Sequence, residues 1–487
     1  MNLCRVPLLT AVVFLLFCLP AVAEEEGDIW TLWPLLDYRR SAPQEYASLS
    51  LLGPLITYER SGDDRQYGVR PIFFHRYQGA TRHSDYLYPV ASGVAEEDHH
   101  FFQVLRLLQY DFGARSEDEL MFFPFLFYGE TETRGDYFAL FPFGGRLYER
   151  FGRDEMSFAL FPLYGRTVAG GRTTTNILWP IFARIQGEDE SGIKVWPLFG
   201  ASEKDGVYRR RMFLWPIFFR YDQHLDTPNP ERIRTVFPLY VGEDSPRRSR
   251  YTVLWPFFSY EENRAADYEE WNFPWPLLRV ARGGGRDGLR LLPLYADERR
   301  GDFRSRWFLW PVYRVEELQT EMLHRRRDRV LFFLYSDLRE SWEGAATPAK
   351  RRVALWPLFT YEKVQGISRF HTLSLFEPFF PENESIQRSW SPLWRLYQRH
   401  WDGEGNEISS LLWNLYWKER RGEDLALEVF PLVRYTRAGE STDLRLLKGL
   451  FRYRRGAEGG KVNLFWLPWG FNWGGGNEVV PPVLGEE

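Results

Sequence analysis

Apolar segments of about five residues alternate with short polar segments along almost the whole chain. Each apolar segment contains an aliphatic residue, then Trp or Phe, then Pro, then two further apolar residues, as in 178–182 and 214–218. The pattern returns about every 19 residues, which gives about 24 units. This self-similarity predicts one continuous repeat architecture.

The clearest copies of the structural repeat core are aromatic-proline pairs: Trp33, Pro34, Phe161, Pro162, Trp179, Pro180, Trp196, Pro197, Trp215, Pro216, Trp255, Pro256, Trp310, Pro311, Trp356 and Pro357. Further units centre on Pro54, Pro71, Pro89, Pro124, Pro142, Pro238, Pro276, Pro293, Pro378, Pro392, Pro431 and Pro468. Degenerate units lie near Leu107, Phe333, Asn414 and Gly449. Because most tryptophans hold the same place in the unit, we expect them to be core residues.

The polar segments between the units carry clusters of glycine and aspartate, as in 169–171, 187–192, 204–206 and 283–288. Such residues supply the positive backbone angles that hairpin turns require. A proline in the middle of nearly every apolar segment disfavours helix. The chain is therefore predicted to be all-β.

The proline is expected in the middle of each long strand. Because proline has no backbone N–H to donate, we expect the strand to bend there, and we call this bend the crease. The residue before the proline is held extended. Around Pro216, residues on both faces of such a strand would be apolar. A strand with two apolar faces is expected to have other parts of the protein packed against both sides of the sheet near the crease.

Three architectures fit these strands. The favoured one is an antiparallel meander of about 24 bent strands of about 19 residues each, forming a curled or closed sheet. An outer-membrane β-barrel fits the even strand count and the aromatics, although the central residues do not alternate polar with apolar. A β-solenoid with one coil per unit is the third.

Residues 1–23 have the features of a secretory signal peptide: Arg5, an apolar stretch over 6–19 and the small-residue end Ala21-Val22-Ala23. We divide the rest into a continuous β-repeat domain, 24–475, and a C-terminal tail, 476–487. The predicted location is the periplasm or the outer membrane. Both cysteines, Cys4 and Cys18, lie in the signal segment, which excludes disulfides and thiolate chemistry from the mature chain.

The formal net charge of −4 is not that of a nucleic-acid binder. Envelope polysaccharide, lipid or another envelope protein are the expected partners. Arginines recur beyond the repeat core at Arg166, Arg184 and Arg220, where they would form either a basic stripe or a salt-bridged ladder. Tryptophans outside the repeat register are candidates for exposed contacts: Trp271, Trp342, Trp401, Trp417 and Trp473.

Catalytic motifs are absent from the sequence. No histidine pair has metal-ligand spacing, and the cluster Glu96-Glu97-Asp98-His99-His100 is interpreted as a hairpin turn. The chain has no serine-nucleophile elbow and no P-loop. We therefore expect no enzyme, no cofactor and no metal.

The favoured interpretation is a non-enzymatic, exported cell-envelope protein that acts as a scaffold or binding surface. One alternative is an outer-membrane channel or export component. Another is a protein that binds or processes envelope polysaccharide.

Overall fold

The computed structural model describes residues 27–41, 45–113, 118–342, 349–380, 383–457, 459–467 and 469–474. The predicted signal peptide, the C-terminal tail and Pro468 lie outside these residues. The described chain forms one antiparallel sheet of 46 strands. The predicted all-β meander is confirmed, with about twice the expected number of strands.

The first half of the sheet contains β1 (Gly27–Leu32), β2 (Leu36–Ser41), β3 (Tyr46–Leu51), β4 (Ile56–Ser61), β5 (Asp64–Val69), β6 (Phe73–Gln78), β7 (Thr81–Tyr86), β8 (Ala91–Ala95), β9 (His99–Val104), β10 (Leu108–Gly113), β11 (Glu119–Phe122), β12 (Leu126–Thr131), β13 (Gly135–Leu140), β14 (Gly144–Arg150), β15 (Arg153–Ala159), β16 (Tyr164–Ala169), β17 (Arg172–Ile177), β18 (Phe182–Gly187), β19 (Glu190–Val195), β20 (Phe199–Lys204), β21 (Tyr208–Phe213), β22 (Phe218–Gln223) and β23 (Glu231–Val236).

The second half contains β24 (Tyr240–Asp244), β25 (Arg248–Val253), β26 (Phe258–Asn263), β27 (Tyr268–Asn272), β28 (Leu278–Gly283), β29 (Gly288–Leu291), β30 (Tyr295–Arg300), β31 (Phe303–Phe308), β32 (Tyr313–Gln319), β33 (Leu323–Val330), β34 (Tyr335–Trp342), β35 (Lys350–Leu355), β36 (Phe359–Val364), β37 (Ile367–Thr372), the helices α1 (Glu384–Ser389) and α2 (Ser391–Trp394), β38 (Tyr397–Trp401), β39 (Glu407–Leu411), β40 (Tyr416–Arg421), β41 (Asp424–Val429), β42 (Val433–Ala438), β43 (Ser441–Leu446), a short 3-10 helix (Leu447–Gly449), β44 (Phe451–Arg455), β45 (Gly459–Leu464) and β46 (Gly470–Gly474).

Each strand pairs with the strands that precede and follow it in the chain, and all these pairs are antiparallel. This consecutive pairing is the meander that the sequence predicts, and it is not the coil-on-coil pairing of a solenoid. Each 19-residue unit folds into two short strands instead of one long bent strand. The turns therefore alternate between two edges of the sheet.

The polar edge carries the turns that lead from even- to odd-numbered strands. Ala169 pairs with Arg172 across a two-residue turn, in which Gly170 and Gly171 have φ angles of 55° and 77°. Two positive φ angles match the right-handed twist of a hairpin and favour glycine. The predicted turn at 169–171 is confirmed.

The apolar edge carries the turns from odd- to even-numbered strands, and the repeat prolines lie here. In the turn between β17 and β18, Leu178 has a φ of 49° and the Trp179-Pro180 peptide bond is cis. The amide of Ile181 donates to the carbonyl of Leu178 at 2.8 Å. The predicted mid-strand crease is wrong, because a proline in a turn leaves the sheet's ladder of hydrogen bonds intact.

Successive turns on the apolar edge bond to one another. The amide of Leu178 donates to the carbonyl of Leu163 at 2.8 Å, and that of Trp179 donates to the carbonyl of Pro162 at 2.7 Å. The rings of Phe161 and Trp179 lie 5.6 Å apart. The ladder of hydrogen bonds thus continues through the turns. The proline has no N–H to donate, but its carbonyl accepts a hydrogen bond from the next turn.

One connection departs from the repeat. Residues 373–396 link β37 to β38 and contain both α1 and α2. Pro378 and Pro392, predicted as centres of two units, both lie in this single connection. The described chain therefore has one unit fewer than the sequence pattern indicates.

The sheet curves until strands near its start face residues 383–417. The indole N–H of Trp33 donates to the carbonyl of Leu412, and that of Trp390 to the carbonyl of Tyr88, each at 2.7 Å. Asn414 donates to the carboxylate of Asp37 at 2.6 Å. We call this set of side-chain contacts the seam. Among the described strands β1 pairs only with β2, and β46 only with β45, so the ladder stays open.

Candidate functional site

The register divides the strands into an inner and an outer face. The inner face bears Asp37, Phe74 and Asp85, which the seam covers: Asn414 bonds to Asp37, and Arg388 lies 5.9 Å from the Phe74 ring and 3.9 Å from the Asp85 carboxylate. The outer face carries the alternate residues of each strand. The two faces differ sharply in composition.

On the outer face, the position next to the apolar edge is aliphatic or aromatic in nearly every strand from Leu32 to Leu464. Register partners in the middle of the sheet define this apolar row: Tyr164, Ile177, Phe182, Val195, Phe199, Phe213, Phe218, Val236, Tyr240, Val253 and Phe258. Phe213 is 55% exposed. The row is therefore a surface feature and not a core.

The turns extend this surface over the edge of the sheet. The turn residues Leu178, Trp179 and Ile181 are all exposed, Trp179 by 52%. Equivalent exposed residues follow in neighbouring turns: Leu160, Leu163, Leu198, Leu214, Trp215, Ile217, Leu239, Leu254, Trp255 and Phe257. We call the apolar row and these turns together the apolar rim.

The rim is larger than the apolar patches of ordinary monomers. A large aromatic side chain covers about 150–250 Å², so a dozen half-exposed side chains present roughly 1,000 Å². The largest apolar patch on a typical monomer is about 300–600 Å² and is often functional. The rim is the most prominent candidate for an interaction surface on the described chain.

The tryptophans of the repeat core lie in this rim. Trp179, Trp215, Trp255 and Trp310 are exposed, and none of the sixteen repeat-core residues is buried. The expectation that these tryptophans form a core is corrected, because each stands in an edge turn with sheet on only one side. Their contacts run along the edge, as between Trp196 and Trp215 at 5.6 Å.

The recurring arginines lie on the outer face, two residues further along each strand from the apolar edge than the apolar row. Arg220 is the register partner of both Arg211 and Arg234, while Arg166 and Arg184 both face Thr175. These five residues form the basic row. Arg220 is 3.7 Å from Asp222, whereas the other four make no ion pair within 4.0 Å among the described residues.

The inner face mixes small and ionic side chains with buried apolar ones such as Phe127 and Leu147. Ala183 and Ala296 are buried there. Arg279 bonds to Glu270 at 2.7 Å and to Glu298 at 2.9 Å. Because residues 214–217 form a turn between β21 and β22, the predicted strand with two apolar faces around Pro216 is wrong. The error arose because turn residues were counted as strand residues.

The tryptophans outside the repeat register have different environments. Trp271, Trp342 and Trp473 are exposed. Trp401 is half-buried, and Trp417 is only 2% exposed beneath the guanidinium of Arg39, 4.4 Å away. The expectation of an exposed contact is wrong for Trp417, because the seam covers it.

Two histidines of the inner face lie next to each other on β37 and β38. The rings of His371 and His400 are 5.5 Å apart. Burial, followed by the charge of Arg395, lowers the pKa of His371 to about 2. Burial, followed by the charge of Arg369, lowers the pKa of His400 to about 4. Both imidazoles are therefore neutral at physiological pH.

The acidic cluster before His99 is a hairpin turn, in which the amide of Glu96 donates to the carbonyl of His99 at 2.8 Å. The His99 imidazole pairs with the carboxylate of Asp111 at 2.8 Å. Within the residues that the structure describes, no group of three or more metal-ligating side chains is positioned to hold an ion.

Comparisons with known proteins add no assignment. No protein-family model matches the chain, and no curated protein matches it. Neither described helix has the length and apolarity needed to cross a membrane.

Proposed function

We propose that this protein is a non-enzymatic scaffold of the cell envelope that rests on an anionic lipid surface along its apolar rim. The observation that carries the proposal is the rim itself, an exposed apolar line that follows one edge of the sheet through consecutive hairpins. Export, expected from the signal peptide, would bring the rim to an envelope membrane.

The spacing of the two outer rows suits a lipid interface. Residues rise about 3.3 Å along a strand, so the basic row lies roughly 7 Å from the apolar row. Interfacial protein segments bury their apolar face about 5–10 Å into the boundary between headgroups and acyl chains. A rim inserted to that depth would hold Arg184 and Arg220 at the level of the lipid phosphates.

The chemistry of the rim favours lipid over polysaccharide. Its aliphatic residues, such as Leu178 and Ile181, offer nothing to the hydroxyls of a neutral sugar. Burying an apolar area of about 100 Å² per turn contributes on the order of 2 kcal/mol. Because neighbouring turns belong to one sheet, these modest contributions add along the edge.

Flotation with phospholipid vesicles tests the proposal. The rim variant replaces Leu160, Leu178, Leu214, Leu254 and Leu309 with glycine, which is well suited to these positions because each leucine has a positive φ. We expect the protein to float with vesicles that contain phosphatidylglycerol, and the rim variant to bind at least about tenfold more weakly. Urea unfolding of both proteins confirms that the fold is retained.

A matched control removes exposed apolar residues from the polar edge. Met322→Ser, Trp342→Ser and Ile367→Thr together should leave flotation within about twofold of the unmodified protein, although Met322 is 73% exposed. Equal binding by the rim variant and the unmodified protein would reject the lipid-seated scaffold. Equal losses in the rim and control variants would reject the rim as its contact surface.

A further inference from the structure

A second surface feature lies on the inner face, away from the apolar row. A cavity of about 660 Å³ spans β25 to β30. Six arginines line it: Arg248, Arg250, Arg279, Arg286, Arg290 and Arg300. Only two carboxylates, those of Glu261 and Glu270, share the lining.

The ion pairs leave part of this positive charge uncompensated. Arg248 holds Glu261 at 2.9 Å, and Arg279 holds Glu270 at 2.7 Å. Glu298, outside the lining, is paired with Arg290 at 2.6 Å and also with Arg279.

The remaining three arginines have no such partner. Arg250, Arg286 and Arg300 make no ion pair within 4.0 Å among the described residues, and Arg286 lies 5.7 Å from the Tyr268 ring. Burial alone would raise the pKa of Glu270, but hydrogen bonds from Arg279, Tyr268 and Asn272 hold it at about 2. The pair of Glu270 with Arg279 thus persists at physiological pH, and the three guanidinium groups without an ion pair are available to anions.

Aromatic and uncharged polar groups complete the cavity. Trp255 and Trp275 line its edge, and Thr252, Ser259 and Asn272 line it as well. Asn272 is 6% exposed and donates to Ser259 at 3.0 Å and to Glu270 at 2.8 Å. Its carbonyl oxygen is buried and has no hydrogen-bond partner in the described structure. A buried acceptor without a partner is costly, so it points to a ligand that donates a hydrogen bond.

We propose that this cavity binds an acidic saccharide. A sugar ring packs against Trp255 or Trp275, its carboxylate or phosphate groups pair with the free arginines, and a hydroxyl donates to the amide oxygen of Asn272. An inorganic anion would satisfy the arginines without using the indole faces. The inference does not depend on lipid binding, since the arginines and Asn272 lie on the inner face, although Trp255 is shared with the apolar rim.

Isothermal titration with oligogalacturonate tests the site, with maltooligosaccharide and inorganic phosphate as comparison ligands. We expect saturable binding of oligogalacturonate that weakens as salt rises. The variant with Arg250→Gln, Arg286→Gln and Arg300→Gln should bind at least tenfold more weakly. Arg282→Gln, on the same β28 but outside the lining, should stay within twofold.

A second variant separates a saccharide site from a simple anion site. Trp255→Leu should weaken binding of oligogalacturonate and leave binding of phosphate unchanged. The proposal is overturned if the unmodified protein does not bind oligogalacturonate, if phosphate binds as tightly, or if the triple arginine variant binds like the unmodified protein. Arg250, Arg286 and Arg300 are not part of the apolar rim, so the triple arginine variant distinguishes failure here from failure of the lipid proposal.

Discussion

The leucine two residues before many of the turn prolines adopts a left-handed backbone. Leu178, Leu214 and Leu254 have φ angles of 49°, 46° and 48°. This conformation costs a residue with a side chain about 1–2 kcal/mol, and glycine would avoid most of it. The leucines are exposed, so the cost is not offset by burial in a core. Strain retained at an exposed position is typical of a functional surface.

The paired histidines make stability depend on pH. His371 and His400 resist protonation in the folded state, whereas an unfolded histidine takes up a proton near pH 6.5. The free energy of unfolding should therefore fall as pH drops below about 6.5, by on the order of 2 kcal/mol for each of the two histidines near pH 5. Urea unfolding at neutral pH and near pH 5 measures this loss.

Substituting His371 and His400 tests whether these two histidines cause the loss of stability at low pH. The double variant His371→Asn, His400→Gln should lose much of the pH dependence in this range. His224→Gln removes an imidazole whose side chain is 63% exposed and should keep the dependence unchanged. The same pH dependence in the double variant and the unmodified protein would show that the acid response originates elsewhere.

Hairpins on the polar edge follow from sequence more directly than those on the apolar edge. The Gly170-Gly171 pair indicates a turn from sequence because glycine readily adopts positive φ angles, and both residues have them in the structure. The turn 178–181 is apolar throughout and merges with the apolar ends of β17 and β18, so the point at which each strand ends is hidden in the sequence. The all-β meander was therefore predictable, while the place of the proline and the number of strands were not.

The candidate surfaces were predictable to different degrees. Arg166, Arg184 and Arg220 recur at visible intervals, but only the register adds Arg211 and Arg234 to the same row. The arginine-lined cavity draws its residues from β25 to β30, and their convergence depends on which strands face each other. The spacing of residues within one 19-residue unit does not reveal that these arginines line one cavity.

Substitution of Gly170 and Gly171, in the turn between β16 and β17, should destabilise this hairpin because of backbone conformation alone. A Cβ at Gly170 or Gly171 meets no atom within 4 Å, yet both residues have positive φ. Gly170→Ala with Gly171→Ala should lower the local stability of β16 and β17 by about 1 kcal/mol per residue. Faster amide exchange in these two strands is the expected readout.

Gly165→Ala provides the control within the same hairpin. Gly165 also has open space around its Cβ position but lacks a positive φ, so alanine should be tolerated. Equal protection of β16 and β17 in the two variants would contradict the requirement for left-handed turn residues.

At the scale of the whole molecule, the seam joins the first strands of the sheet to residues 383–417, which no strand pairing connects to them. Trp33→Phe with Trp390→Phe removes two indole donors and leaves the carbonyls of Leu412 and Tyr88 without them. Each loss should cost about 1 kcal/mol. We expect faster amide exchange in β2 to β7 and in 383–417, with no change in β20 to β30.

Trp307→Phe is the matched control for the seam, because this indole donates to Ser305 on its own strand at 2.9 Å. It should leave exchange at the seam unaltered. Unchanged exchange after the double substitution would mean that other contacts hold the curvature.

The consecutive pairing of strands also gives this all-β chain a low contact order. Each ladder pair joins neighbours in sequence, so most contacts close short loops, which carry a small entropic cost. Within the part of the chain that the structure describes, only the seam joins residues that are hundreds of positions apart, as Trp33 and Leu412 are 379 residues apart. The sheet can therefore grow hairpin by hairpin as the chain lengthens, and the seam contacts can form only after the residues near 412 have folded.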